Sequence, residues 1–163
     1  MDWDTLIMLG HIVGTVLGVG GATFAEIFHS KVTRDGYNET AGGFLHITYM
    51  IMRIGLILLV ISGFGFLLLA RFEGQTQYIY SARVWAKLMI TLIILVNTAL
   101  LHIRKMPTWL GSAISITSWY AALIIGAWRI RAGFWTLILA YLIVIIVVAA
   151  YKHSKSLQGV KQT

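Results

Sequence analysis

The run LIMLGHIVGTVLGVGGATFAEIF, Leu6 to Phe28, decides what kind of chain this is. Only His11 and Glu26 in it can ionise, and about 20 apolar residues are enough to cross the hydrocarbon core of a bilayer as a helix. A strand reading fails, because apolar and polar residues do not alternate and an open sheet cannot span lipid. His29 follows directly, eighteen residues after His11. At 3.6 residues per turn that is five turns and about 27 Å, so both imidazoles share one stripe near opposite faces of the membrane. Gly10, Gly14 and Gly18 recur at every fourth position, with Gly20 and Gly21 beyond them. They strip bulk from the helix and let another helix or a flat ligand reach its backbone. Such a ladder is most often a helix-packing face; with a histidine at each end it also reads as half of a cofactor cradle.

Working outward, four further runs reach membrane length. The expected fold is an all-α integral membrane protein, an up-down bundle of five transmembrane helices at about 5–28, 44–70, 83–104, 108–130 and 133–151. Residues 1–151 form one transmembrane domain, and the Lys, Ser and Gln tail 152–163 is a solvated end. The linkers are a Gly, Asn and Asp-containing loop at 30–43, a polar loop at 71–82 and two tight turns, one of them at Pro107. The composition agrees: 58% of the 163 residues are hydrophobic and 12% charged, too apolar for a soluble domain of this size. With no cysteine, disulfides, thiolate metal sites and iron–sulfur clusters are excluded. The start Met1-Asp2-Trp3-Asp4 lacks the positive flank of a cleavable signal, so the first helix is expected to be retained.

Lys and Arg number 13 against 6 Asp and Glu. The bases cluster between apolar runs, which points to the positive-inside rule and to lipid rather than nucleic acid as the partner. With the N-terminus outside, the cytoplasmic side holds Lys31, Arg34, Arg104, Lys105, Lys152, Lys155 and Lys161, and the other side Arg71, Arg83, Arg129 and Arg131. The expected location is the inner (cell) membrane of a bacterium, N-terminus outside and C-terminus cytoplasmic. Trp3, Trp85, Trp109, Trp128 and Trp135 fall near helix ends, as an interfacial belt requires.

Ionisable groups inside a bilayer are costly, which makes each a functional candidate. These are His11, Glu26, His29, His46, Arg53, Lys87 and His102, with the polar Asn97 a weaker one. His11 and Lys87 share an outer depth; His29, His46 and His102 share an inner one. Neutral imidazole ligates transition metals and haem iron, and a haem b between helices needs axial ligands at matched depth. His46 with His102 meets that condition, and His29 can replace either. Arg53, two turns beyond His46, can neutralise a propionate or pair with Glu26. At the outer level His11 and a deprotonated Lys87 are an admissible pair, or Lys87 binds propionate. An interfacial position accounts for His29, His153, His46 or His102 without any ligand, and snorkelling or pairing accounts for Lys87 and Arg53.

The segment His11-Ile-Val-Gly14 with Gly20-Gly21, and the later Trp85-Ala86-Lys87-Leu88 running on to His102, resemble the first and the lysine-bearing helices of the HemJ and CopD-like small membrane proteins. The resemblance covers about the first 105 residues; the second helix, with His46 and Arg53, departs from it. It implies b-type haem, protoporphyrinogen oxidation or copper handling, with His11 and Lys87 as haem-site or active-site residues. The expected function is a b-type haem-binding membrane protein with one or two haems, transferring electrons from a quinol- or porphyrinogen-type donor as a haem-dependent oxidoreductase. His11, His46 and His102 are the metal ligands, and Tyr49 and Trp119 are candidates to line a path between centres. The competing readings are a metal-ion or small-solute transporter or channel subunit using His11, Glu26, His46 and Arg53, and a small packing subunit of a larger membrane complex or homo-oligomer.

Overall fold

The computed structural model describes residues 2–35, 39–128 and 132–160, and every regular element among them is helical. α1 is Trp3–Asp35, α2 Glu39–Phe72, α3 Thr76–Ile79, α4 Ala82–His102, α5 Thr108–Ala127 and α6 Phe134–Val160. Five of the six are long and apolar enough to cross a membrane; the short α3 is the exception. Lipid offers no hydrogen-bond partner to the backbone, so even the β-branched stretch Leu142–Val148 satisfies its own amides as helix. The protein is an all-α integral membrane protein.

Several boundaries differ from the sequence reading. α1 and α2 have 33 and 34 residues, about 50 Å each, more than the hydrocarbon core needs, so the polar segment expected at 30–43 is mostly helix. α6 runs through the expected start of the tail to Val160. Its extra turns have partners: Lys152 Nζ donates to Ser112 Oγ at 2.6 Å, and the His153 ring lies 4.7 Å from that of Trp109. The expected end of the fourth span at 130, Arg129, Arg131 and Lys161 lie outside the described residues.

The helices gather into two compact units, Met1–Tyr80 and Ser81–Thr163. In the first, α1 and α2 form an antiparallel hairpin. Its seam is made of small residues: Gly14, Gly18, Gly21, Ala22 and Ala25 on α1 face Gly55, Leu56, Leu59 and Ser62 on α2, all buried. A Cβ on Gly14 would stand 2.8 Å from Leu59 N and 2.9 Å from Gly55 O, and one on Gly55 would stand 2.8 Å from Gly18 N. Backbone meets backbone here, which is what small residues four apart permit in a membrane. α2 then stops at a left-handed Gly74 (φ 69), with Gln75 N donating to Ala70 O at 2.8 Å, the turn that satisfies the last carbonyls of a helix.

In the second unit α4, α5 and α6 pack around Ala86, Ile90, Ile94, Ala113, Trp119, Leu137 and Tyr141. Ser81 starts α4 by accepting Val84 N at 3.4 Å. α4 ends in the same kind of turn as α2, but at Arg104 (φ 55).

Candidate functional site

The register of the hairpin puts His11 of α1 against Ser62 and Phe66 of α2. Nδ1 of His11 lies 2.9 Å from Ser62 Oγ, and the two rings of His11 and Phe66 meet edge to face at 5.4 Å and 78°. Ser62 has one proton, and its Oγ sits 2.6 Å from Leu58 O and 3.2 Å from Leu59 O. Two acceptor oxygens do not approach to 2.6 Å without a proton between them, so the hydroxyl donates to Leu58 O. His11 must therefore donate its Nδ1–H to Ser62. A hydrogen bond of this type fixes tautomer and ring orientation wherever a histidine serves as a ligand.

Phe66 has a second role. It forms one wall of a cavity of about 350 Å³ between the start of α1 and the end of α2 with α3. Met8 and Leu69 add apolar lining, and Asp4, Glu73 and Tyr78 add polar groups. Glu73 is oriented by Gln75, whose Nε2 donates to Oε2 at 2.6 Å.

The glycine stripe does not form a cradle for a flat ligand. Gly14 and Gly18 are closed by the backbone of Gly55 and Leu59, and Gly21 by Met52. Dispersion and close backbone approach favour that occupant, because lipid drives helices together only weakly and α2 supplies a matching glycine. Gly20, beside the seam, has nothing within 4 Å of its Cβ position.

The other candidates divide between the two units. His29 is half-buried near the end of α1, beside the stacked pair Phe28 and Phe44, whose rings lie 5.5 Å apart. His46 and Arg53 share the exposed face of α2, and Tyr49 is exposed with them. Lys87 and His102 belong to the second unit. Lys87 is half-buried, its Nζ 3.5 Å from where a Cβ on Gly126 would stand, so the missing side chain makes room for the ammonium. His102 is the exposed last residue of α4. His11 and His46 thus sit toward opposite ends of the hairpin, and His102 lies in the other unit. Among the described residues no three His, Asp or Glu side chains converge as a metal site.

Ser62 and Phe66 were not singled out in the sequence, because a serine or phenylalanine in an apolar helix carries no signal until its partner is known. The same holds for Ser118 and Tyr141, whose hydroxyls bond at 2.7 Å inside the second unit. Trp119, a candidate from the sequence, is buried beside them with 1% exposure. No family model matches the chain, and neither does any curated protein or solved structure.

Proposed function

We propose that the protein is a b-type haem protein of the membrane, in which His11 would hold the haem and the haem would supply one-electron chemistry toward a quinol-type donor. One observation carries this: Ser62, its own proton committed to Leu58 O, holds the His11 ring in the tautomer that a ligating imidazole needs. The donor set fits haem at this one position, as a neutral nitrogen beside an apolar ring. The glycine face does not contribute, and His46, His102 and His29 take no part. Arg53, exposed at membrane depth, suits a propionate.

Haem, when bound, supplies one-electron chemistry. The chain's own residues do the rest. Asp4 and Glu73 give the cavity carboxylates that can accept hydrogen bonds from donor hydroxyls, and Met8, Phe66 and Leu69 give it apolar surface. The volume lies near the low end of small-ligand sites, about 300–1,000 Å³, which favours a single-ring quinol over a four-ring porphyrinogen. Phe66 separates this cavity from His11 by one ring. In this reading the chain resides in a bacterial cell membrane with its N-terminus outside, supported by the excess of Lys and Arg on the opposite side.

An optical spectrum of the purified protein with a pyridine haemochrome assay tests the proposal. A Soret band that shifts on dithionite reduction is expected, and fully folded colourless protein would end it. His11→Ala should abolish haem binding, and Ser62→Ala should weaken it by about 10–100-fold, the usual cost of losing an outer-shell partner.

A further inference from the structure

Acids and bases are divided between the two units. Every Asp and Glu of the chain precedes Gly74, so Ser81–Thr163 carries most of the 13 Lys and Arg and no acidic side chain. Arg104, Lys105 and Lys155 are exposed to solvent, and Lys152 has Ser112. Arg83 and Lys87 are instead half-buried, in the first two turns of α4. Four residues apart, they share one face of the helix, and the charge of Arg83 acts on the Lys87 ammonium. Among the described residues neither has a hydrogen bond or an ion pair. Like charges at this spacing repel, so the pair calls for an anion that the unit does not contain.

Their depth says where that anion comes from. α4 has 21 residues, about 31 Å, which matches the hydrocarbon core of a bilayer. Arg83 therefore stands at the edge of the core, next to the headgroups, and Lys87 starts about 6 Å deeper. A lysine stem leans toward the N-terminus of its helix, which brings the charge back toward the interface. The ammonium is not loose in lipid: Nζ lies 3.5 Å and Cε 3.7 Å from where a Cβ on Gly126 would stand, at the end of α5. Gly126 thus seats it between two helices. The last carbonyls of α5 offer about half a negative charge, short of what two cations need. Trp85 and Trp128, both exposed, stand near the same ends of α4 and α5, where interfacial rings belong.

We propose that Arg83 and Lys87 bind the phosphate of an anionic phospholipid at this end of α4, against Gly126. Phosphate is the anion a membrane supplies at headgroup depth, and one phosphodiester can accept from the guanidinium and the ammonium together. A zwitterionic headgroup brings a cation of its own, and no carboxylate in this unit can receive it. The site therefore selects glycerol-type headgroups over choline-type ones. Neither cation is used by the haem reading, and the assignment does not depend on it.

Native mass spectrometry of the full-length, detergent-solubilised protein, titrated with phosphatidylglycerol, phosphatidylcholine and glycerol 3-phosphate, is the test. One phosphatidylglycerol should bind more tightly than phosphatidylcholine, and glycerol 3-phosphate, which has the phosphate without the acyl chains, should not displace it. Lys87→Gln should weaken that binding about fivefold, and Arg83→Gln combined with Lys87→Gln about 25-fold, the scale set by each cation that faces an anionic headgroup. Gly126→Leu puts a side chain where the ammonium sits and should match Lys87→Gln, while Lys155→Gln, at an exposed position of α6, should change nothing. Equal affinity for the two lipids, a double variant that keeps the preference, a leucine variant that binds as the unaltered chain does, or displacement by glycerol 3-phosphate would each overturn the proposal. Should a variant not fold, the comparison of the two lipids on the unaltered chain still decides.

Discussion

In the hairpin of α1 and α2 two backbones touch, and the polar group of interest, His11, sits beside the seam with its partner. In the unit of α4 to α6 the seam is filled by a tryptophan, a tyrosine and isoleucines, and polar atoms are left inside it. The difference follows from residue size. Glycines four apart bring helix axes so close that a buried side chain has no room, so the hairpin excludes water by contact. Large side chains hold helices apart, and Trp119, with 1% exposure, fills the space between them.

The heaviest blow to this contrast is Trp119→Ala, which should cost about 3–5 kcal/mol by opening a cavity at the centre of the second unit, read as a fall in the thermal transition of the detergent-solubilised protein. Next comes Gly55→Ala. Its new Cβ would lie 2.8 Å from Gly18 N and 2.9 Å from Gly14 O, atoms that cannot swing aside, so about 1–3 kcal/mol should be lost. Gly20→Ala, with nothing within 4 Å, is the paired control and should be neutral or slightly stabilising. If the two alanines behave alike, the seam is not where the hairpin is held. Tyr141→Phe removes a donor without orphaning Ser118, which keeps its bond to Ile114 O, and should cost about 0.5–1.5 kcal/mol in the same melt. The smallest effect concerns the helix ends. α2 closes on Gly74 and α4 on Arg104, both left-handed, and Arg104→Gly should gain up to about 1 kcal/mol by removing the Cβ from that conformation.

Much of the fold was legible because spanning a membrane is a local property. The five spans followed from length and apolarity, and the tryptophans near their ends from the interface; Trp3, Trp85, Trp128 and Trp135 are indeed exposed there. The candidate site was legible only in part. His11 stood out as an imidazole in an apolar run, but Ser62, fifty-one residues away, did not. The glycine ladder was visible, while its occupant was not: packing face and cofactor cradle demand the same small residues, and only the facing Gly55 separates them. His46 and His102 share an inner depth by sequence, and the helices that carry them belong to different units. The tail at Lys152 read as solvated because its composition is polar; Ser112 and Trp109 show why helix persists there.

By itself, then, the amino-acid sequence determined that this chain crosses a membrane as helices, and where, since each backbone must satisfy its own hydrogen bonds in lipid whatever lies beside it. Which faces meet was decided only in the tertiary structure. Lipid is as apolar as leucine, so hydrophobic periodicity does not mark the inward face, and the choice falls to shape and hydrogen bonding between residues distant in the chain: Gly14 with Gly55, His11 with Ser62, Tyr141 with Ser118.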